Sequence, residues 1–90
     1  MRVARRFLIS GRVQGVGFRW FTYDAAVREG ATGWVRNLPD GRVEAWVEGD
    51  ADAVTRVEAA VRSGPRGARV ETVNVELEPP TGRYSEFSIQ

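Results

Sequence analysis

The chain has 90 residues, of which 42% are hydrophobic and 28% charged, and this composition indicates one small folded domain, residues 1–90. It contains no cysteine and no histidine, which excludes disulfides, sulfur-held metal centres and mechanisms that use a thiolate or an imidazole. A net charge of +1 favours neither nucleic acid nor membrane as a partner, and with no targeting segment we expect a cytoplasmic monomer.

Apolar periodicity and turn residues predict seven elements in chain order. They are a strand at 3–13, a helix at 18–29, strands at 32–37 and 42–48, a helix at 50–62, and strands at 70–78 and 84–89. The first strand ends in a glycine-rich loop, residues 11–17, and the helix after it has Phe18, Phe21 and Ala25 on one stripe. The Leu-Pro-Asp-Gly segment at 38–41 is typical of a hairpin turn.

The order of these elements predicts the fold. A β-α-β-β-α-β sequence with a short fifth strand is typical of the α+β, ferredoxin-like α/β sandwich, in which two helices cover one face of a mainly antiparallel sheet. The crossover helix makes the first two strands parallel, with the third between them. Their carboxyl ends then lie about 10 Å apart at one edge of the sheet. The fold should therefore bring the loop at 11–17 close to Asn37, which ends the second strand.

The two predicted helices differ at their N-termini. The second begins with Asp50 and Asp52, which can cap its amides and complement its dipole. The first follows Gln-Gly-Val-Gly at 14–17, which offers no capping side chain, and Arg19 adds a cation in its first turn. A bound anion such as phosphate or sulfate would satisfy these amides, with Arg19 donating two bonds to its oxygens. The alternative is a tight turn capped by water, with Arg19 as a solvated charge.

Asn37 also has two interpretations. An asparagine before a Pro-Asp-Gly turn is commonly part of an Asx turn, and on its own this is the more frequent case. Its amide can also both donate and accept hydrogen bonds, so it could hold a water molecule beside a bound phosphate. It is not a base at neutral pH.

Other binding motifs do not fit the chain. A nucleotide loop of the Walker type needs Lys and Ser or Thr after Gly17, and the dinucleotide fingerprint lacks its third glycine. RNA binding on the sheet would use Phe7 and Trp46, but Glu44 and Glu48 are placed beside the latter. Asp40, Asp50 and Asp52 do not have the spacing of a calcium loop, although a magnesium or calcium ion held by carboxylates stays open on composition alone.

Two segments carry a family resemblance. Residues 11–19, Gly-Arg-Val-Gln-Gly-Val-Gly-Phe-Arg, and residues 33–41, Gly-Trp-Val-Arg-Asn-Leu-Pro-Asp-Gly, resemble the two signatures of the acylphosphatase family. The similarity extends over essentially the whole chain. It implies the sandwich fold and hydrolysis of the carboxyl–phosphate bond of a small acyl phosphate to carboxylate and inorganic phosphate, without metal or cofactor.

The resemblance also implies roles for individual residues. Phosphate binding falls on the loop amides and one guanidinium, namely Gly15, Val16, Gly17, Phe18 and Arg19. Arg19 and Asn37 would be catalytic, with Asn37 positioning the attacking water. Gln90 stands where some relatives have a basic or aromatic residue, so the resemblance assigns its side chain no role in orienting Arg19, whereas the terminal carboxylate stays available for that role. The alternative function is a non-catalytic regulatory module that senses an anion through the same loop.

Overall fold

The computed structural model describes residues 1–90 and contains the predicted elements in the predicted order. They are β1 (Arg2–Arg12), α1 (Phe18–Arg28), β2 (Thr32–Asn37), β3 (Val43–Asp50), α2 (Ala51–Ser63), β4 (Arg69–Glu78) and β5 (Phe87–Ile89). Six elements begin and end within two residues of the predicted positions. β5 is shorter than predicted, because Tyr84 belongs to the preceding loop, where its hydroxyl accepts a hydrogen bond from Trp34 Nε1 at 3.1 Å. Neither helix has the length and apolar character that crossing a bilayer requires.

The five strands form one sheet in the order β4-β1-β3-β2-β5. β3 pairs antiparallel with both β1 and β2, β4 pairs antiparallel with β1, and β5 pairs parallel with β2. Both helices pack on the same side, α1 against β2 and β5, and α2 against β3 and β1. The predicted ferredoxin-like arrangement, with β3 between β1 and β2, is confirmed.

The core lies between the sheet and the two helices. Phe7 of β1 and Val47 of β3 are fully buried there, and α2 contributes the predicted stripe of Val54, Val57 and Val61. Alternation along each strand sends these apolar side chains to the helix-covered face.

The predicted stripe of α1 is partly wrong. Phe18 and Ala25 are buried, but Phe21 is only half-buried and Thr22 is fully buried in its place. Thr22 tolerates burial because its hydroxyl donates to the Phe18 carbonyl at 2.9 Å. A threonine that satisfies its own hydroxyl in this way packs as an apolar side chain would.

The predicted cap of α2 is also wrong. Asp50 occupies the N-cap position, but its side chain makes no capping hydrogen bond. Its carboxylate instead accepts from the Met1 amino nitrogen at 3.1 Å, and the Met1 carbonyl accepts from the Ala51 amide at 2.9 Å. Met1, which precedes β1, therefore binds the first amide of this helix in place of the Asp50 side chain.

Residues 79–86, which we call the crossing loop, connect β4 at one edge of the sheet to β5 at the other. On the face away from the helices, the loop is anchored by Glu48, whose side chain is completely buried. Its carboxylate accepts four hydrogen bonds, from Trp46 Nε1 at 2.8 Å, the Thr81 hydroxyl at 2.5 Å, and the Thr81 and Gly82 amides at 3.1 Å each. Glu48 therefore fixes the path of the chain into β5.

The same face carries a second buried carboxylate. Glu44, 2% exposed, accepts from Arg6 Nε at 2.5 Å and from Arg36 Nε at 2.7 Å. Phe7 lies on the opposite face beneath the helices, so it does not share a surface with Trp46. Phe7 and Trp46 therefore do not form the shared aromatic surface that RNA binding would use.

The environment of Glu48 predicts that the free energy of unfolding falls in acid. Burial raises the pKa of this carboxyl, but the hydrogen bonds from Thr81, Trp46 and Gly82 favour the charged form and hold the pKa below its ordinary value. The stabilisation is therefore complete above the unfolded-state pKa and is lost as the pH falls through the lower folded-state pKa. At pH 7, Glu48→Gln should lower the free energy of unfolding by about 2 kcal/mol in denaturant titrations.

The matched control is Glu86→Gln, which removes an exposed carboxylate from the same loop. We expect it to change stability by less than about 0.5 kcal/mol. The gap between the wild type and Glu48→Gln should narrow below about pH 4. A gap that is independent of pH would contradict the role given to the ionised carboxylate.

Candidate active site

The loop between β1 and α1 turns through two left-handed glycines. Gly15 has φ 74° and Gly17 has φ 78°, in the region that side chains with a Cβ rarely adopt. No atom would obstruct a Cβ at either position, so the backbone conformation alone favours glycine. The turn reverses the chain and directs it from the end of β1 into α1.

The start of α1 is uncapped, as the sequence predicts. Gly17 occupies the N-cap position, no side chain caps the helix, and the first turn has no acidic residue. The first intrahelical bond runs from the Phe21 amide to the Gly17 carbonyl at 3.0 Å. The amides before Phe21 have no partner within the helix and present a partial positive charge.

Gln14 connects this loop to the hairpin between β2 and β3. Its side-chain nitrogen donates to the Leu38 carbonyl at 2.8 Å and to the Arg42 carbonyl at 3.0 Å. Both donors of one amide group are thereby used to bind two carbonyls of the turn. Gln14 had no predicted role, although a side chain with two donors inside a glycine-rich loop is a signal that could have indicated one.

The hairpin turn leaves Asn37 facing the loop. Asp40 makes the Asx turn, since its carboxylate accepts from the Arg42 amide at 3.1 Å and from Arg42 Nε at 2.9 Å. The backbone hydrogen bond from Arg42 is the main reason that the pKa of Asp40 lies below its ordinary value. Asn37 is therefore not needed for the turn, and its half-buried side chain lines a pocket.

Arg19 is held by the end of β5. Its Nη1 donates to the backbone oxygen of Gln90 at 3.0 Å, and the Gln90 amide in turn donates to the Val35 carbonyl at 2.8 Å. The contact to Arg19 thus comes from the Gln90 main chain and does not depend on the identity of its side chain. One of the five guanidinium N–H groups is used, which leaves the others for a ligand.

These elements enclose a shallow pocket of about 100 Å³. It is lined by Val13, Gly15, Gly17, Phe18, Arg19, Trp20 and Asn37. Of the predicted site residues, only Val16 does not line it, since Val16 packs against the core. Val13 and Trp20 had no predicted role in the site.

Not all arginines of the N-terminal segment contribute unpaired positive charge near the pocket. Arg5 pairs with Glu58 at 3.1 Å, and Arg6 pairs with Glu44 and Glu76. Arg19 and Arg12 have no Asp or Glu side chain within ion-pair distance. Of the five arginines in the N-terminal segment, only these two lack an acidic side-chain partner, and they lie on either side of the loop that carries the free amides.

The acylphosphatase family model matches residues 5–89. The chain belongs to the acylphosphatase family. It is 51% identical over 89 residues to an acylphosphatase of Anaeromyxobacter dehalogenans (strain 2CP-C), which covers 99% of this chain and 96% of that protein. As a member of this family the chain is a hydrolase, with small acyl phosphates as its substrate class.

Solved structures of relatives agree with this assignment. The crystal structure of the acylphosphatase from Bacillus subtilis superposes with a TM-score of 0.94 at 36% identity, over 98% of each chain. Full-length HypF, in a phosphate- and nucleotide-bound form, contains a similar region with a TM-score of 0.88 at 25% identity, which covers all of this chain and 12% of that one.

The Gln14 contacts yield a testable prediction. Gln14→Ala removes two hydrogen bonds and should lower the free energy of unfolding by about 1–2 kcal/mol. We expect phosphate to raise the Tm of the wild type, and Gln14→Ala should reduce this rise because the loop is no longer held against the hairpin. Asn74→Ala, which removes an exposed amide from β4, is the control. A lower Tm with an unchanged response to phosphate would mean that Gln14 supports the hairpin and not the loop.

Proposed function

We propose that this chain hydrolyses the carboxyl–phosphate bond of acyl phosphates, giving a carboxylate and inorganic phosphate without a metal ion. The observation that carries the proposal is one pocket that contains the uncapped start of α1, Arg19 and Asn37. Membership of the acylphosphatase family supports the same reaction. The proposed site lies within residues 1–90 and needs no second chain.

In the proposed complex the phosphate occupies the start of α1. Amides from Gly15 to Phe18 donate to its oxygens, and Arg19 adds a bidentate contact. Negative charge in phosphoryl transfer spreads over three equatorial oxygens, which a ring of fixed donors is suited to stabilise. The contact from Gln90 restricts the Arg19 side chain before the substrate arrives, so less conformational entropy is lost on binding.

The chemical step requires little general acid or base catalysis from the protein. Water attacks phosphorus in line, the bond from phosphorus to the carboxyl oxygen breaks, and the electron pair leaves on the carboxylate. The carboxylate is a weak base and departs without protonation. We assign Asn37 the role of orienting the water, whose proton passes to a phosphate oxygen. Positioning and charge stabilisation then supply most of the rate enhancement.

Arg19 tests the phosphate contact. Arg19→Gln should lower kcat/KM for benzoyl phosphate by about 10³ and abolish stabilisation by phosphate in thermal melts. Arg19→Lys should not restore activity, because an ammonium group lacks the planar fork of donors. Arg66→Gln removes an exposed arginine in a turn away from the pocket and should behave as wild type. Full activity in Arg19→Lys would contradict the bidentate contact.

Asn37 tests the placement of water. Asn37→Ala should lower kcat by about 10² while the inhibition constant of inorganic phosphate stays within about twofold, since only the nucleophile loses its contact. The assay uses benzoyl phosphate with EDTA present. Equal loss of turnover and phosphate affinity would show that Asn37 binds phosphate instead. A wild type that is stabilised by phosphate but hydrolyses nothing would favour the anion-sensing alternative.

A further inference from the structure

Trp20 differs from the other two tryptophans of the chain. It is 64% exposed and lines the pocket directly after Arg19, whereas the indole nitrogens of Trp34 and Trp46 both donate within the chain. Exposure of a large apolar side chain to water at a pocket is unfavourable in free energy. A ligand that covers the side chain removes this unfavourable contribution. We propose that Trp20 forms an acyl-group subsite that selects substrates with a flat aromatic acyl group, an inference that rests on the proposed hydrolysis.

The size of the pocket places the acyl group outside it. Sites that enclose a whole small molecule have volumes of roughly 300–1,000 Å³. The pocket here has about 100 Å³ and is surrounded by the phosphate-binding groups. The phosphoryl end of the substrate fills it, so the acyl group extends through the mouth, where the ring of Trp20 is exposed.

The ring of Trp20 is fixed by other aromatic side chains. It meets Tyr23 edge-to-face at 5.7 Å between ring centroids, and Tyr23 lies 6.3 Å from the ring of Phe87, which is buried. This series connects an exposed ring to the core. A ring held in this way loses little side-chain entropy when a ligand stacks on it.

The remaining groups around the pocket favour a neutral acyl group. Val13 and Phe18 are 1% and 2% exposed, so their side chains offer almost no surface to a ligand. Arg19 is the only charged residue that lines the pocket; its guanidinium contacts Gln90 and, in the proposed complex, binds the phosphate. Trp20 is therefore the main surface available to the acyl group, and stacking on an indole favours a planar ring over a methyl group.

Kinetics on two substrates test the subsite. We expect Trp20→Ala to raise KM for benzoyl phosphate about tenfold, equivalent to about 1.4 kcal/mol, and to change KM for acetyl phosphate less than about twofold. Turnover at saturation should be unchanged for both, and Trp20→Phe should restore most of the benzoyl preference. Leu77→Ala, which removes an exposed apolar side chain of β4 far from the pocket, is the matched control.

Binding of unreactive ligands separates this proposal from the proposed hydrolysis. Calorimetry should show that wild type prefers phenylphosphonate to methylphosphonate and that Trp20→Ala loses this preference. Equal weakening of both ligands would overturn the subsite, because Trp20 would then support the phosphate loop. An unchanged preference would also overturn it. Trp20-dependent binding without turnover of either acyl phosphate would uphold the subsite and refute the hydrolysis.

Discussion

The start of α1 is the constraint on which the rest of the site depends. A capping side chain typically contributes about 1 kcal/mol, and a favourable charge in the first turn a few tenths more. α1 has neither, and Arg19 places a cation at its positive end. The helix is held by burial of Phe18, Ala25 and Ala26 against the sheet, so it folds without satisfying these amides. An oxyanion is the ligand whose charge and acceptors match what the helix leaves unpaired.

The groups around that helix start are fixed by contacts between distant parts of the chain. Gln14 binds the loop to the β2–β3 hairpin, and Gln90 holds Arg19 from the end of β5. Glu48 fixes the crossing loop that leads into β5. The side chains of Gln14, on the loop, and of Arg19, on the helix, are thus held by residues at the ends of strands of one sheet. This rigidity matters because donors stabilise a transition state only when they are already in place.

The features that sequence predicts well here are local. Glycine spacing, the missing cap and the Pro-Asp-Gly turn each depend on neighbouring residues, and the element order then determines that β1 and β2 end at the same edge. Contacts such as Gln14 with Leu38 or Glu48 with Thr81 join residues more than twenty positions apart, and no local pattern specifies them. Thr22 was not predicted in the core because the stripe of α1 was assigned from apolar residues alone, although a hydroxyl bonded to its own helix can be buried.

The absence of histidine and cysteine is consistent with the chemistry that the site supports. An acyl phosphate has an activated leaving group, so the barrier is lowered mainly by stabilising charge, and backbone amides with one guanidinium can do this. The carboxylate with a lowered pKa that holds the fold, Glu48, lies on the face of the sheet away from the helices and does not line the pocket. The acid sensitivity that comes from Glu48 therefore affects the path of the chain into β5, at whose end Gln90 contacts Arg19.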